Sequence, residues 1–328
     1  MVSRLDMRGD SVATTMVDPP IEGLFRRLQE VSNDIEADLQ AAEAKQQANS
    51  CDSSPAAPSA PTCGLAVCRP DQGGRSAWVW VEQHGRRPKV AELAESGFAG
   101  CKWLEGPPGA RNLLLLLHGL GDTPAPFARL GKTMALPETS ALALQAPLPL
   151  PAGLDGFMWH ESFDDEGDLL PPEACSLEDA RASLRALLAT LERCGWPTRR
   201  VFMLGYMQGG QVALDLALHL GVRLGGVVSV CGHLAPEHLA PPLALSLQTP
   251  LLIVTGTRDD AMPLTAARRS FDALRAYAGR GAVVRLSEIE GRAIGSEHEM
   301  RPVMEFFAEH LELHTAALEN DPSIIRVQ

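Results

Sequence analysis

Short apolar runs that end near glycine alternate with helical segments over most of this 328-residue chain. The run RNLLLLLHG at 111–119 has a continuously apolar centre, which is typical of a strand buried on both faces. Further strand-like runs lie at 77–83, 140–147, 199–205, 224–232, 250–256 and 282–290. Helical periodicity is found at 176–196, 211–221, about 263–279 and about 299–312. This alternation predicts an α/β fold with a mostly parallel sheet that helices cover on both faces.

The first quarter of the chain differs in composition from the rest. Residues 1–19 are polar, and residues 48–75 are rich in Ser, Pro, Ala and Gly, so we expect a disordered tail and a low-complexity linker. Residues 20–47 predict an amphipathic helix between them. Its apolar stripe consists of Ile21, Leu24, Leu28, Val31 and Ile35. The stripe suits either a weak dimer through a short coiled coil or a helix that lies on its own domain. One α/β domain is expected over 76–312, followed by a tail over 313–328.

Charge and cysteine usage exclude several kinds of partner. The chain carries 41 acidic and 29 basic residues, and its net charge of −12 does not suit a nucleic-acid partner. The seven cysteines are scattered, and none has the CxxC spacing of a zinc site, so neither a metal nor another cofactor is expected. The N-terminus lacks a signal-like apolar run, and apolar runs such as 113–117 are too short to span a bilayer. We therefore expect a cytoplasmic protein without an integral membrane segment.

The stretch LGYMQGG at 204–210 places Gly205 and Gly209 on either side of Met207. This glycine spacing, between a predicted strand and a predicted helix, is that of the G-x-S-x-G nucleophile elbow of hydrolases. The central residue of such a turn is held in a strained conformation that costs about 1–3 kcal/mol. Taken alone, the spacing also suits an ordinary βα turn, because short glycine patterns are weak signals.

Four stretches that follow predicted strands are more specific together than singly. They are HGLGDTPAPFARL (118–130), GYMQGG (205–210), GTRDDAMP (256–263) and GRAIGSEHEM (291–300). In open parallel sheets, working residues collect at the carboxyl ends of strands. Over roughly residues 108–312 the chain resembles the phospholipase/carboxylesterase family of α/β hydrolases, which includes the acyl-protein thioesterases. The resemblance implies an α/β-hydrolase fold and hydrolysis of carboxylic esters or thioesters by a Ser–Asp–His triad.

The resemblance also implies roles for individual residues. Leu120 and Gln208 match the two positions whose backbone N–H groups form the oxyanion hole of the family. Asp259 falls where the family has its triad aspartate. Phe157 and Trp159 lie in a segment that resembles the loop over the active site, and they are the expected substrate-binding residues.

Two positions depart from the family pattern. Met207 stands where the family has its nucleophilic serine, and a thioether carries no proton that a base could remove. His298 is the only histidine between the last strand and the last helix, which favours it as the triad base. The family spacing relative to the pair Glu299–Met300, however, places the base near Ala293, and His298 would then be an exposed residue at the start of a helix.

Three hypotheses about function follow from these departures. The first is a catalytically impaired family member that binds an acyl ester, a thioester or a lipidated protein, or that acts as a scaffold. The second is an active ester or thioester hydrolase that uses a non-standard route, such as a water activated by His298 and Asp259. The third is an interaction module whose pocket is filled by Met207.

Overall fold

The structure is a computed structural model. It describes residues 65–70, 76–81, 85–151, 154–165, 167–239, 246–258, 263–279, 282–290 and 297–313, with backbone alone for the first two segments and for 297–299. The predicted tail at 1–19, the predicted helix at 20–47, Asp259 and Ala293 lie outside the described residues.

The described elements alternate as the sequence predicts. The strands are β1 (Leu65–Pro70), β2 (Ser76–Val81), β3 (Lys102–Leu104), β4 (Asn112–Leu117), β5 (Thr139–Leu144), β6 (Leu148–Pro149), β7 (Phe157–Met158), β8 (Val201–Tyr206), β9 (Gly226–Val230), β10 (Leu251–Gly256) and β11 (Val284–Ile289). The helices are α1 (Val90–Glu95), α2 (Pro124–Met134), α3 (Glu178–Arg193), α4 (Gln208–His219), α5 (Leu264–Tyr277) and α6 (Glu297–His310). Short 3₁₀ helices lie at Pro172–Ala174, Thr198–Arg200 and Pro236–His238.

Seven strands form the central sheet, in the order β11-β10-β9-β8-β4-β5-β3. All neighbours are parallel except β3, which runs antiparallel to β5 at one edge. The chain passes from β4 outward to β5 and then returns to place β8 on the other side of β4. Strand order reverses there, and ligands of open α/β sheets bind in the crevice outside the carboxyl ends at such a point.

The core alternates along the central strands. Leu113, Leu115 and Leu117 pack with the cluster that contains α1, α3, α4 and α5. Leu114 and Leu116 pack with the cluster that contains α2 and α6. Since successive side chains of a strand point to opposite faces, the continuous leucine run fills two layers at once. The prediction that 113–117, 201–204 and 251–254 are buried strands is confirmed.

Three local expectations change. Strand β1 lies inside the segment predicted as a linker, and it pairs with β2 in a separate two-stranded sheet. Helix α3 starts at Glu178 with Leu177 at the N-cap, and Ser176 accepts a hydrogen bond from the Glu178 N–H at 3.4 Å instead of capping the helix. Helix α4 begins at Gln208, three residues before the predicted start, because the elbow leads straight into it.

The end of the domain is fastened to its first central strand. The buried Asn112 side chain donates to the Glu312 carbonyl at 2.9 Å and accepts from the Glu312 N–H at 3.1 Å. The Glu312 carboxylate also pairs with the buried Arg200 at 2.5 Å. Among the helices of the described residues, none is long and apolar enough to cross a membrane.

Candidate active site

Met207 is the single residue between β8 and α4. Its backbone has φ 47° and ψ −111°, a conformation that costs a residue with a side chain about 1–3 kcal/mol. Its N–H donates to the Val230 carbonyl at 2.8 Å, and its carbonyl accepts from the Gln211 N–H at 2.9 Å. The strained residue is therefore held from both sides by the neighbouring strand and by the first turn of the helix.

The glycines around Met207 allow three backbone segments to meet. A Cβ on Gly205 would lie 2.3 Å from the Gly209 carbonyl oxygen. A Cβ on Gly209 would lie 2.5 Å from the carbonyl oxygens of both His118 and Leu117. Since real Cβ atoms do not approach backbone this closely, only glycine fits at either position. The glycine pattern is thus a tightly packed elbow, and the ordinary βα turn that the sequence left open is set aside.

The loop after β4 forms a turn beside this elbow. The Asp122 N–H donates to the Gly119 carbonyl at 3.3 Å, and Gly121 has φ 76°, as in a type II turn. The loop is clamped by Phe157, whose carbonyl accepts from Gly121 at 2.9 Å and whose N–H donates to Asp122 at 3.1 Å. In such a turn the N–H of the second residue, here Leu120, takes no part in the turn hydrogen bond.

The two predicted oxyanion donors lie on adjoining segments. A Cβ on Gly119, next to Leu120, would lie 3.7 Å from the Cβ of Met207. Gln208 is the first residue of α4, and the first N–H groups of a helix have no intrahelical acceptor. Such N–H groups, with the positive end of the helix dipole, stabilise negative charge on a carbonyl oxygen. The assignment of Leu120 and Gln208 as the oxyanion hole stays a prediction that this geometry suits.

The side chain of Gln208 fastens the loop that follows β7. Its Oε1 accepts from the Trp159 backbone N–H at 2.7 Å, and its Nε2 donates to Ser162 Oγ at 2.7 Å. The Trp159 indole donates to the His118 carbonyl at 2.8 Å and is only 1% exposed. Through these contacts, Gln208 and Trp159 position the loop that follows β7. A direct contact of Trp159 or Phe157 with a substrate stays a prediction.

His118 is fully buried and holds the first residues of the oxyanion loop. The Ala146 N–H donates to its Nε2 at 3.0 Å, so Nε2 has no proton and the neutral ring carries its proton on Nδ1. Nδ1 then donates to the Gly119 carbonyl at 2.7 Å. Burial lowers the pKa of His118 below its ordinary value, although the Gly119 carbonyl and Asp122 act in the opposite direction. The ring is a neutral structural group and not a base.

The structure leaves the predicted acid and base of the triad open. Strand β10 is parallel to its neighbours and ends at Gly256, at the same edge of the sheet as the end of β8, and Asp259 lies outside the described residues. His298 is the second residue of α6, where the backbone alone is described. Ala293 lies outside the described residues. Both assignments of the base therefore stay predictions.

Two other side chains that could attack a carbonyl are buried away from the elbow. The hydroxyl of Ser229 is fully buried on β9, 2.6 Å from the position of a Cβ on Gly210. Cys231 is 2% exposed and has a positive φ of 52°. The Ser229 hydroxyl lies against the first turn of α4, and Cys231 is buried in the cluster that contains α2 and α6, so neither residue replaces the missing serine.

Two histidines beside the elbow were missed by the sequence analysis. His160 is 7% exposed, and its Nε2 is a buried atom without a hydrogen-bond partner in the described part of the chain. Nδ1 of His233 is also buried without a hydrogen-bond partner among the described residues. Burial lowers the pKa of His233, and the nearby His160 lowers it further. His160 follows Trp159, and His233 comes directly after the strand end at 230–232. These two positions in the sequence could have indicated that both histidines lie near the active site.

Comparison with known proteins identifies the class of this site. The sequence profile of the phospholipase/carboxylesterase family matches residues 105–314. An uncharacterized hydrolase of Mycosarcoma maydis is 33% identical over 236 residues, which are 68% of this chain and 85% of that protein. The chain belongs to the phospholipase/carboxylesterase family of hydrolases.

More distant similarities agree with this family. An uncharacterized hydrolase of Schizosaccharomyces pombe is 32% identical over 152 residues, which are 44% of this chain and 59% of that relative. The match thus spans less than two thirds of that relative. The crystal structure of esterase PE8 has a TM-score of 0.55 and 27% identity, covering 64% of this chain and 98% of the esterase. The predicted α/β-hydrolase fold and the resemblance drawn from the motifs are confirmed.

Proposed function

We propose that this chain binds an acyl ester, an acyl thioester or a lipidated peptide, as a binder or scaffold, and that its hydrolytic activity is lost or severely impaired. The observation that carries the proposal is Met207 at the centre of the elbow, with φ 47° and ψ −111°. The backbone is bent as for a nucleophile, but the side chain there is a thioether.

The chemistry of the thioether supports the loss of hydrolysis. A serine hydroxyl attacks a carbonyl because a base removes its proton as the new bond forms. A thioether has no such proton, and attack through its sulfur gives a sulfonium ion instead of an acyl ester. In serine hydrolases, loss of the nucleophile costs about 10⁶ in kcat, and about 10³–10⁴ over water survives through the oxyanion hole and binding.

The surroundings of Met207 support retained binding. The turn at Gly119–Asp122 is clamped by Phe157, and Gln208 holds the backbone of Trp159 at 2.7 Å and the hydroxyl of Ser162 at 2.7 Å. These contacts hold the two segments of the predicted oxyanion hole in place without any contribution from a hydroxyl at residue 207, which supports the proposal. A preorganised site of this kind binds a carbonyl oxygen without further ordering cost.

The second candidate is an active hydrolase in which a water molecule replaces serine as the nucleophile. His160 and His233 beside the elbow favour it, because each has a ring nitrogen without a hydrogen-bond partner among the described residues, and an imidazole nitrogen can accept a proton from water. If this candidate is correct, His160→Asn should abolish the turnover of the unmodified chain. The impaired-hydrolase proposal predicts no turnover for that change to remove.

We also propose a cytoplasmic location and a weak dimer through residues 20–47. The location is supported by the four cysteines whose side chains are described, none of which is in a disulfide: Cys101, Cys175, Cys194 and Cys231. The dimer rests on the apolar stripe in the sequence of 20–47, which lies outside the described residues.

Hydrolysis of p-nitrophenyl esters by the full chain tests the catalytic part. The unmodified protein should act barely above background, and Met207→Ser should recover little, because His298 also departs from the family spacing. Adding Ala293→His to Met207→Ser should then do better than either change alone. A rise of several orders of magnitude in Met207→Ser alone would instead make His298 the working base. Robust turnover by the unmodified chain, abolished by Asp259→Ala, would refute the proposal.

Removal of one backbone donor tests the binding part. Proline is favoured at the second residue of a type II turn, so Leu120→Pro should delete the N–H and keep the loop. We expect p-nitrophenyl octanoate to bind about tenfold more weakly to this variant, as for one lost hydrogen bond. Leu120→Ala retains the N–H and should bind like the unmodified chain. Equal affinity of the Pro and Ala variants would contradict an oxyanion hole at Leu120.

A further inference from the structure

A second polar cluster lies along α4, eight residues beyond Met207 and therefore about 12 Å from it along the helix axis. Every residue from Gln208 to Leu218 is buried, including Asp215, whose side chain is fully inaccessible. Two imidazoles face this carboxylate: His219 at the end of α4, and His238 in the 3₁₀ turn after β9. Arg181 reaches it from α3.

The two oxygens of Asp215 have different neighbours. Oδ1 lies 3.4 Å from His219 Nδ1 and 3.1 Å from His238 Nε2, whereas Oδ2 lies 3.0 Å from Arg181 Nε. The three potential ligand atoms, one from each of Asp215, His219 and His238, lie within 4.8 Å of one another. A zinc ion with tetrahedral ligands at about 2.0–2.1 Å holds those ligands about 3.3 Å apart. The two measured separations match that spacing.

Hydrogen bonds alone account poorly for the cluster. His219 Nδ1 already donates to the Asp215 backbone carbonyl at 2.9 Å, so its contact with Oδ1 is the longer, shared one. In the part of the chain that is described, Nδ1 of His238 is buried without a hydrogen-bond partner. The buried carboxylate thus faces two imidazole nitrogens on one oxygen and an arginine on the other.

We propose that Asp215 Oδ1, His219 Nδ1 and His238 Nε2 bind a divalent transition-metal ion of the zinc type. Arg181 forms an ion pair with the other carboxylate oxygen and occupies the place of an outer partner of the ligand. The half-exposed Glu237 carboxylate lies 4.0 Å from His238 Nε2 and is placed to approach the fourth position, which a water molecule fills otherwise. Neutral imidazoles suffice: the ring protons move to the nitrogens that face away from the ion, and no net proton is released.

The site would act on the fold around the elbow and not on the ester. It joins the end of α4 to the turn at Pro236–His238, and through Arg181 to α3. The side chain of Arg185 on α3 also hydrogen-bonds the His219 carbonyl, which marks the same junction. An ion at this point holds the helix that begins at Gln208 against two further elements.

Zinc content of the purified full chain tests the proposal. After loading with Zn²⁺ and removal of excess ion, elemental analysis should find one zinc per chain, and Zn²⁺ should raise the melting temperature. Co²⁺ in its place should give the visible absorption of a tetrahedral site. Since loss of an outer partner costs about 10–100-fold in metal affinity, loss of a ligand in His219→Ala or His238→Ala should cost at least 100-fold.

The matched control is His310→Ala. His310 Nδ1 donates to the Phe306 carbonyl four residues earlier at 2.8 Å, as His219 does to Asp215, but His310 lies outside the cluster. This variant should keep the full zinc content. If the His310 and His219 variants retain zinc equally, or if the unmodified chain retains none, the site does not exist.

A second pair of variants guards against misfolding. His219→Gln and His238→Gln keep an amide donor for Asp215 but lack the imidazole, so they should fold, melt without any response to Zn²⁺ and hold no zinc. A hydrogen-bonded cluster without a metal predicts instead that the unmodified chain and both variants ignore Zn²⁺ alike. That result would overturn the proposal.

Discussion

The two ends of α4 present opposite combinations of geometry and chemistry. At the N-terminal end, the strained Met207 and the glycines form the backbone of a hydrolase elbow, but the side chain lacks a reactive proton. Further along the helix, Asp215 and His219 supply groups that bind protons or metals, on a regular helix with no strained residue.

The difference shows what a fold preserves by packing alone. Gly205 and Gly209 are required because backbone meets backbone there, whatever side chain stands at 207. A buried carboxylate such as Asp215 persists only if partners compensate its charge, and Arg181, His219 and His238 do so. The elbow is thus fixed by sterics, and the far cluster is fixed by electrostatics.

The largest effect is expected from a methyl group at the elbow end. Gly209→Ala places a Cβ 2.5 Å from two carbonyl oxygens, so we expect a loss of about 3 kcal/mol or more in the free energy of unfolding. Gly221, just past the other end of α4, has φ 73° and no atom within 4 Å of a Cβ, so Gly221→Ala should cost only about 1 kcal/mol. Urea denaturation of the two variants measures both, and equal losses would contradict the steric account.

A charge change at the far end should have the next largest effect. Arg181→Met leaves the fully buried Asp215 with two imidazoles as its remaining partners, so we expect a loss of about 2–3 kcal/mol without added metal. The control is Arg285→Met, since the pair Arg285–Glu309 is about half exposed and should contribute less than about 1 kcal/mol. Chemical denaturation in chelator gives both values. If Arg181→Met loses as little stability as the control does, electrostatic fixation is the wrong explanation.

The strain at Met207 should reverse the usual order of alanine and glycine. Met207→Ala keeps the positive φ and loses the packing of a half-buried side chain, whereas Met207→Gly relieves the strain. The glycine variant should therefore be more stable than the alanine variant by about 1 kcal/mol. At Met203, inside β8, glycine should be the less stable by about 0.5–1 kcal/mol. The same order at both positions would show that Met207 is not strained.

The smallest expected effect is a difference in the pH range over which the two ends of α4 contribute to the stability of the fold. Burial lowers the pKa values of His118 and His233, so the unfolded chain binds more protons near pH 6. The stability that these rings contribute is present above their unfolded pKa of 6.5 and is lost as pH falls toward their lower folded values. Asp215, whose folded pKa is also lowered, loses its contribution only below its ordinary value of 3.8.

Denaturation midpoints between pH 8 and pH 3 test this separation. His118→Gln should flatten the profile just below pH 6.5 and leave the acidic limb unchanged. A His118→Gln profile that coincides with that of the unmodified chain would exclude His118 as a source of the upper limb.

The sequence alone was sufficient for the fold and for the position of the elbow. A continuous leucine run at 113–117 is compatible with a strand buried on both faces, and the glycine spacing around Met207, together with the three other stretches that follow strands, indicates the elbow. Both signals are local patterns in the sequence, although the close approach that requires Gly209 is to the backbone of Leu117 and His118. The composition of residues 48–75 predicted a linker, but Leu65–Pro70 forms a strand. Composition does not reveal this strand, because the strand depends on pairing with β2.

Only the tertiary structure brought the remaining groups together. His160 and His233 lie 73 positions apart in the chain. His233 comes near the first turn of α4 because the sheet order places β9 beside β8, and His160 because Gln208 holds the backbone of Trp159. The cysteine spacing does not indicate a metal site, whereas Asp215 and His219 lie four residues apart, which puts both on one face of a helix. His238 and Arg181 come from separate elements, and no local pattern links them to Asp215. Contacts between distant segments depend on how helices pack over the sheet, which local periodicity does not encode.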